Sequence, residues 1–355
     1  MSHTAARPPE SDRTSSGGVT PGGRFGVGLV AAIVATMLVS AFLSLARGAT
    51  ASSPANEPIV PLQTVVDVDP DKARLGELLF NDARLAHDDK LACSTCHQLD
   101  KGGVDGQRRS TGGDGTLLDF NTSTVFNASM SFRINWRGNF HTLEEQAEAT
   151  LTTKWLMGSS WSEILPKLRS DSQYHESFAR LYGGEPARDS VLDALAAFER
   201  SLITPNARFD RYLKGEKDAI TADEREGYRL FKENGCIACH QGVNIGGNLF
   251  QKFGIFSDPF AHQQTITDAD LGRFSITGIE SDRHVFRVPS LRNIAVTAPY
   301  FHDGRTASLE DAVKIMARNQ LGRDLDTRDV GLIVKFLGTL TGEYRGRMLS
   351  GGGVK

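Results

Sequence analysis

Two short cysteine motifs carry the most evident chemistry in the sequence. They are Cys93-Ser94-Thr95-Cys96-His97 and Cys236-Ile237-Ala238-Cys239-His240, and they contain all four cysteines of the chain. Two thiols three residues apart can add across the two vinyl groups of one porphyrin, and the histidine that follows can then ligate the iron. The motifs therefore predict two covalently attached haems of the c type.

A pair of cysteines at this spacing can also build a zinc site or a redox-active dithiol. Here both copies are followed by histidine, and the chain has no further cysteine to complete a zinc site. The pattern favours haem. We assign Cys93, Cys96 and His97 to haem 1, and Cys236, Cys239 and His240 to haem 2.

The sixth iron ligand is expected to differ between the two haems. A helix that begins after Ser308 carries an apolar stripe that includes Met316. A methionine in such a stripe is commonly core filler, but methionine is also a frequent distal haem ligand that raises the potential. An offset of 166 residues places Thr150 at the equivalent position of the first half, and threonine is not a usual iron ligand. We expect haem 2 to be six-coordinate and haem 1 to be open.

The same offset of 166 residues relates other parts of the two halves. Asn127 aligns with Asn293, and Gly138 aligns with Gly304. Strand signals are scarce, and an apolar-periodic helix precedes each cysteine motif. The sequence predicts an all-α fold of two tandem cytochrome-c-like domains, each with one covalent haem, after an N-terminal membrane anchor or signal segment.

Capping signals locate several helix starts. Thr221 with Glu224, Thr142 with Glu145 and Ser308 with Asp311 each begin a helix. A helix near 189–203 ends before Thr204-Pro205, where we place the domain boundary. The predicted segments are a disordered cytoplasmic tail (1–24), a transmembrane anchor or signal segment (25–46), a linker (47–61), an N-terminal domain with the open haem (62–205), a C-terminal electron-transfer domain (206–345) and a tail (346–355).

Composition and charge exclude several classes of protein. The chain has 355 residues, 39% of them hydrophobic, and a net charge of -3. This excludes a wholly disordered chain, a multi-span membrane protein and a disulfide-stapled mini-protein. The near-neutral balance gives no sign of nucleic-acid binding.

The uncharged stretch 25–46 is bracketed by Arg24 and Arg47 and is long enough to span a bilayer. Ala49-Thr50-Ala51 is a plausible cleavage site just beyond it. The segment is therefore either an inner-membrane anchor or a cleaved signal. Both interpretations place the haem-bearing part in the periplasm.

Several further motifs resemble the bacterial di-haem cytochrome c peroxidase family, which includes the MauG-like enzymes. The resemblance covers roughly residues 62–345. Its carriers are Thr124-Val125-Phe126-Asn127-Ala128, Leu143-Glu144-Glu145-Gln146-Ala147, Phe286-Arg287-Val288-Pro289-Ser290-Leu291-Arg292-Asn293 and Ala298-Pro299-Tyr300-Phe301-His302-Asp303-Gly304.

The resemblance implies roles for particular residues. Met316, fourteen residues after His302, matches the family's methionine ligand rather than the tyrosine of MauG. Trp136 matches a tryptophan between the haems that carries electrons. The side chain of Asn121 and the carbonyls of Thr297 and Pro299 match a calcium site between the domains, and oxygen ligands suit Ca²⁺.

The chain departs from the family pattern around haem 1. Gly113 stands where some members carry a distal histidine, which implies an enzyme that needs no reductive activation. Gln146 is kept, but Leu156 replaces the expected glutamate, Asn135 an aromatic residue and Thr150 a proline. Peroxide cleavage needs a base that moves a proton between the two peroxide oxygens, and leucine cannot do this. The candidates to replace it are His141, Glu144 and Glu145, unless they are merely solvated residues at a helix start.

Three functions remain open. The leading hypothesis is a periplasmic peroxidase that reduces hydrogen peroxide to water with electrons from a small cytochrome c or cupredoxin, through haem 2 and Trp136. Gln146 and Trp136 are its predicted catalytic residues. The alternatives are a MauG-like oxidase that modifies a partner protein, and a non-peroxidatic electron-transfer or sensor protein. The family resemblance also implies a possible homodimer.

Overall fold

The computed structural model describes residues 57–261 and 263–351. The predicted tail at 1–24, the anchor or signal segment at 25–46 and most of the linker at 47–61 lie outside these residues. Among the described helices, none combines the length and the hydrophobicity that crossing a membrane requires.

The described chain is mostly helical, with two small antiparallel sheets. The α-helices are α1 (Pro70–Phe80), α2 (Cys93–Cys96), α3 (Leu143–Thr152), α4 (Trp161–Arg169), α5 (Ser172–Tyr182), α6 (Arg188–Ser201), α7 (Arg208–Leu213), α8 (Ala222–Glu233), α9 (Phe274–Thr277), α10 (Leu309–Leu321) and α11 (Thr327–Gly338). Short 3₁₀ helices cover Ala83–Leu85, Leu99–Lys101, Ala128–Met130, Lys217–Ala219, Cys236–Ala238, Glu280–Asp282 and Ile294–Val296. The strands are β1 (Phe250–Lys252) paired with β2 (Val285–Arg287), and β3 (Glu343–Tyr344) paired with β4 (Arg347–Met348).

The predicted helix starts agree with the structure. Thr221 and Glu224 form a reciprocal capping box at α8. Thr142 accepts a hydrogen bond from the backbone N–H of Glu145 at the start of α3, and Ser308 does the same for Asp311 at α10. These bonds satisfy N–H groups that have no partner inside the helix.

Each half is built on a close crossing of two helices. At Gly76 of α1, an added Cβ would lie 1.9 Å from the carbonyl oxygen of Ala194 on α6. At Gly227 of α8, an added Cβ would lie 2.0 Å from the carbonyl oxygen of Leu332 on α11. Glycine is required at both crossings because any side chain would separate the helix backbones.

The offset of 166 residues proposed from the sequence is visible in the backbone. Asn127 and Asn293 are both left-handed, with φ of 59° and 63°. The bridge between Ile134 and Phe140 recurs between Tyr300 and Thr306. Gly138 and Gly304 also share a left-handed conformation, at φ 61° and 62°. The two halves therefore repeat the same local structure.

A buried polar network joins the two copies at the end of α6. The side-chain amides of Asn127 and Asn293 both donate to the hydroxyl of Thr204, at 2.8 and 3.0 Å. The backbone N–H of Thr204 donates in turn to the Asn127 side chain at 3.0 Å. Thr204 thus ties equivalent turns of both halves together at the predicted domain boundary.

The described chain has two hydrophobic cores. One is built mainly on α1, α3 and α6, and the other on α8, α10 and α11. Ile59, which the sequence places in a linker, packs in the second core, and Leu349, from the expected tail, packs in the first. The exact domain bounds remain a prediction.

Candidate functional site

The second cysteine motif opens onto an apolar cavity of about 440 Å³. Cys236, Cys239 and His240 line this cavity, and so does Met316 on α10. The structure therefore brings together the attachment residues and both iron ligands that the sequence assigns to haem 2.

The His240 ring is buried and neutral. Burial lowers its pKa to about 4, although the Ile245 and Pro289 backbones oppose the shift. Its Nδ1 atom lies beside Gly246, where an added Cβ would approach it to 3.3 Å. A neutral imidazole is the form that ligates a metal, so this environment suits an iron ligand.

A buried cation in the cavity wall is a site residue that the sequence did not single out. Arg287 is 8% exposed and, among the described residues, its guanidinium has no carboxylate partner. Its Nε donates to the carbonyl of Asn135 at 3.1 Å, and burial lowers its pKa to about 10. Buried charges in proteins are normally paired. The two propionates of a haem would supply that missing negative charge, so the residues present fit the cofactor.

The first cysteine motif forms helix α2. His97, which ends it, is hydrogen-bonded through Nδ1 to the carbonyl oxygen of Gly103 at 3.2 Å. This contact fixes the ring and leaves Nε2 for a metal. Burial lowers the pKa of His97, although the Gly103 carbonyl and Asp105 oppose the shift. His97 therefore offers the neutral imidazole nitrogen that a metal ion would require.

Helix α3 carries Gln146 and Thr150, which the family resemblance places beside haem 1. Gln146 donates through Nε2 to the Thr150 hydroxyl at 2.7 Å, and that hydroxyl donates to the Gln146 carbonyl oxygen at 3.0 Å. Thr150 occupies the position equivalent to Met316 on α10. The first half thus presents a glutamine held by a threonine where the second half presents a methionine.

Gly113 and Leu156 are brought together by the backbone. The Gly113 N–H donates to the carbonyl oxygen of Leu156 at 2.8 Å. An added Cβ at Gly113 would lie 2.7 Å from the same oxygen. The segment in which some family members carry a distal histidine is therefore pinned to the loop of Leu156, with little room for a side chain.

The three residues that could replace the missing glutamate have other contacts. His141 is exposed, and its backbone N–H donates to the carboxylate of Glu145 at 2.7 Å. Glu144 forms an ion pair with Arg200. These contacts cap and anchor α3, and the imidazole of His141 makes no hydrogen bond to a described residue.

Trp136 lines the cavity, and hydrogen bonds hold both its side chain and its backbone. Its indole N–H donates to the carbonyl of Asn121 at 2.9 Å, and its own carbonyl accepts from the N–H of Arg287 at 3.0 Å. Asn135, where family members have an aromatic residue, is left-handed with φ 74° and accepts from the Trp136 N–H at 2.7 Å. The indole is thus fixed against the cavity wall.

The three predicted calcium ligands line the same cavity. The Asn121 side chain donates through Nδ2 to the carbonyl of Gln107 at 3.0 Å, and no described residue donates to its Oδ1. The carbonyl oxygens of Thr297 and Pro299 likewise accept no hydrogen bond from a described residue outside the helices. Oxygen atoms of this type are the ligands that Ca²⁺ prefers, and the ion normally takes six to eight of them.

Comparison with known proteins identifies close relatives. The family model of the di-haem cytochrome c peroxidases matches residues 70–218. The chain is 41% identical over 313 residues to the cytochrome c551 peroxidase of Nitrosomonas europaea, which covers 87% of this chain and 92% of that protein. It is also 41% identical over 296 residues to the cytochrome c peroxidase Ccp of Escherichia coli strain K12. That match covers 83% of this chain but spans only 63% of the E. coli protein.

A solved structure gives the same result for the fold. The crystal structure of a MauG-like protein associated with microbial copper homeostasis superposes with a TM-score of 0.71 at 26% identity. The superposition covers 83% of this chain and 96% of that one. The helical architecture described above is therefore one that a MauG-like protein also adopts.

Proposed function

The chain belongs to the di-haem cytochrome c peroxidase family, a family of peroxidase-type oxidoreductases, and from this premise we propose that it reduces hydrogen peroxide to water. One peroxide takes up two electrons and two protons and yields two water molecules. The proposal rests on a difference between the two halves of the chain at the position of the predicted sixth iron ligand. Met316 lines the same cavity as the second cysteine motif, whereas Thr150 stands at the equivalent position of the first half.

Haem, when bound, supplies the iron through which electrons reach the peroxide. Cys93, Cys96 and His97 would hold haem 1, and Cys236, Cys239, His240 and Met316 would hold haem 2. At haem 1, Gln146 is the polar side chain available to orient peroxide, and Thr150 fixes it through the hydrogen bond of 2.7 Å. Leu156 contributes only an apolar wall, so proton movement at this site is slow.

Haem 1 needs no reductive activation in this proposal. The contact between Gly113 and the Leu156 carbonyl supports it, because glycine offers no ligand that must first leave the iron. Peroxide therefore enters the fully oxidised enzyme. This behaviour would separate the protein from family members that carry a distal histidine.

In the proposed route, electrons would enter at the second cysteine motif and reach the first by way of Trp136. The donor is a small cytochrome c or cupredoxin. Ile255 lines the cavity and is 52% exposed, and the adjacent Phe256 is 65% exposed. This apolar surface beside the haem 2 cavity suits the brief docking of a redox protein.

Calcium between the halves would order the electron route. Asn121 offers its side-chain oxygen to the ion, and its carbonyl accepts the indole N–H of Trp136 at 2.9 Å. A bound Ca²⁺ would therefore fix Asn121, and Asn121 would fix the indole of Trp136 through this hydrogen bond. Thr297 and Pro299 would complete the protein part of the site, and water the rest.

The protein is proposed to act in the periplasm, either anchored by residues 25–46 or released after cleavage of that segment. Attachment of c-type haem outside the cytoplasm supports this location. A homodimer is proposed from the family alone.

Leu156 supports one alternative function. Without an acid–base group, the chain could serve as a di-haem electron-transfer or sensor protein. Met316 makes a MauG-like oxidase less favoured. MauG has a tyrosine ligand in place of this methionine, and that tyrosine best stabilises its oxidised state.

Steady-state oxidation of a reduced cytochrome c by hydrogen peroxide tests the proposal. We expect two cytochromes oxidised for each peroxide consumed, with no prior reduction of the enzyme. A protein that accepts electrons from the cytochrome but consumes no peroxide would establish the electron-transfer alternative.

A further inference from the structure

Glu199 is a buried acid with no part in the mechanism proposed above. It lies on α6 and is only 8% exposed. Within the described residues its carboxyl group makes no hydrogen bond, and Arg200 beside it pairs with Glu144 instead. Burying a carboxylate without partners is costly. A buried carboxylate without partners is therefore unlike the other acidic groups of α6, which are paired.

The repeat of the two halves shows which space Glu199 faces. Phe198 on α6 contacts the Gly76 crossing just as Phe336 on α11 contacts the Gly227 crossing. The next residues, Glu199 and Leu337, are therefore equivalent. Leu337 lines the cavity of the second cysteine motif. Glu199 accordingly lies on the side of α6 that corresponds to the cavity side of α11.

The first cysteine motif gives a second, independent indication. Burial, and then the negative charge of Glu199, raise the pKa of the Cys93 thiol. The carboxyl group must lie near Cys93 to exert this effect. Glu199 is thus close to one point of haem attachment.

The charged groups on the elements packed against α6 are mostly engaged elsewhere. The 3₁₀ helix Ala128–Met130 carries no charge. The other charged groups on these elements form the pairs Asp71 with Arg74, Lys72 with Asp193, Glu77 with Arg345, Glu148 with Arg188, and Glu144 with Arg200. The carboxylate of Glu145 accepts from the backbone N–H of His141. Glu199 has no counter-ion of its own among them.

Burial, followed by repulsion from Glu144, raises the pKa of Glu199 to about 8, and Arg200 opposes the shift. Its ordinary value is near 4.5. The carboxyl group of Glu199 therefore changes its protonation state near pH 8.

We propose that Glu199 is a proton-binding residue coupled to the oxidation state of haem 1. It takes up one proton from solvent when one electron reaches haem 1, and it releases that proton when the electron leaves. The added electron makes the surroundings more negative, which favours the protonated carboxyl in a medium of low dielectric constant. This inference rests on the proposed haem 1 site, but not on its reaction with peroxide.

The test is the midpoint potential of each haem as a function of pH, measured by spectroelectrochemistry on the protein with both haems and without peroxide. In the wild type, the potential of haem 1 should fall with rising pH between about 6 and 9, with a slope approaching one proton per electron. In Glu199→Gln that slope should flatten, and the slope for haem 2 should not change. Haem propionates also titrate, so the difference between the two proteins is the informative quantity.

Glu176→Gln is the matched control, because Glu176 is an exposed glutamate on α5. It should leave both slopes unchanged. If Glu199→Gln fails to load haem, Glu199→Asp keeps an acid and should keep the slope while displacing its pH range. A wild-type haem 1 potential that does not vary with pH, or a Glu199→Gln slope equal to that of the wild type, overturns the proposal. A pH-dependent potential in a protein that consumes no peroxide would overturn the peroxidase function and leave the role of Glu199 intact.

Discussion

At the scale of single residues, the haem 1 pocket departs most from the chemistry expected of the family. The residue types at 113, 150 and 156 were readable from the sequence, and they predict an open haem with little acid–base assistance. The sequence could not show that Gly113 and Leu156 share a backbone hydrogen bond, or that Thr150 holds Gln146. Those contacts depend on how loops distant in sequence meet.

Leu156→Glu should raise the second-order rate constant for the reaction with peroxide by at least roughly tenfold. The reason is that a positioned acid–base group typically contributes about 10²–10⁴-fold. Stopped-flow absorption of the haem 1 Soret band after mixing with peroxide measures the rate. Leu156→Gln is the control, since it adds polarity without a titratable group. A wild-type reaction that is already fast and collapses in His141→Ala would mean that the proton route has been rebuilt around His141.

Glu199 should make stability depend on pH. Its pKa rises on folding from an ordinary value near 4.5 to about 8, so the folded protein favours the protonated acid. The stabilisation is fully present below about pH 4.5 and is lost as the pH rises through about 8. Relative to Glu199→Gln, the wild type should therefore lose thermal stability between pH 5 and 8. A difference in melting temperature between the two proteins that stays constant from pH 5 to 8 would contradict the raised pKa of Glu199.

At the scale of elements, periodicity and capping residues sufficed to predict much of the fold. Helix α6 was expected near 189–203 and spans Arg188–Ser201. The alignment of Asn127 with Asn293 proved to reflect equal backbone conformations. The glycine crossings were not foreseen, because a lone glycine in a helix pattern gives no indication of which helix it meets.

Gly227→Ala should lower the free energy of unfolding by about 1–3 kcal/mol or more, because the new methyl group would collide with the Leu332 carbonyl on α11. Gly331→Ala is the matched control on α11 itself. An added Cβ there meets nothing within 4 Å, so the change should stabilise the helix by about 0.5–1 kcal/mol. Denaturant unfolding of the protein with both haems measures both values. Equal effects at the two positions would show that α8 and α11 are not in close contact.

At the scale of the whole molecule, the sequence predicted the residues that line the cavity of the second cysteine motif, but it did not predict how the ends of the described chain pack. Ile59 and Leu349 lie in predicted linker and tail segments, yet each packs in the core of the half that is distant in sequence. Arg287 was quoted only as part of a motif. Among the described residues Arg287 is a buried cation without a carboxylate partner. A local sequence pattern does not show which charged residues are buried, so it could not single out Arg287.

Removal of calcium should slow electron transfer between the haems. The ion would bind Asn121, whose carbonyl holds the Trp136 indole, so its loss frees the tryptophan. The measurement is the rate of inter-haem transfer by flash photolysis before and after chelation, with restoration by added Ca²⁺. Asn121→Ala should reproduce the slow rate and abolish the restoration. A metal-free protein with an unchanged rate would exclude this role for the cation.

The central claim is that one chain holds a methionine-ligated haem beside an open one. The electron paramagnetic resonance spectrum of the fully oxidised, resting protein tests it most directly. We predict one low-spin signal and one high-spin signal of equal intensity, with added cyanide converting only the high-spin signal. Two low-spin signals in the resting protein, neither altered by cyanide, would contradict the account.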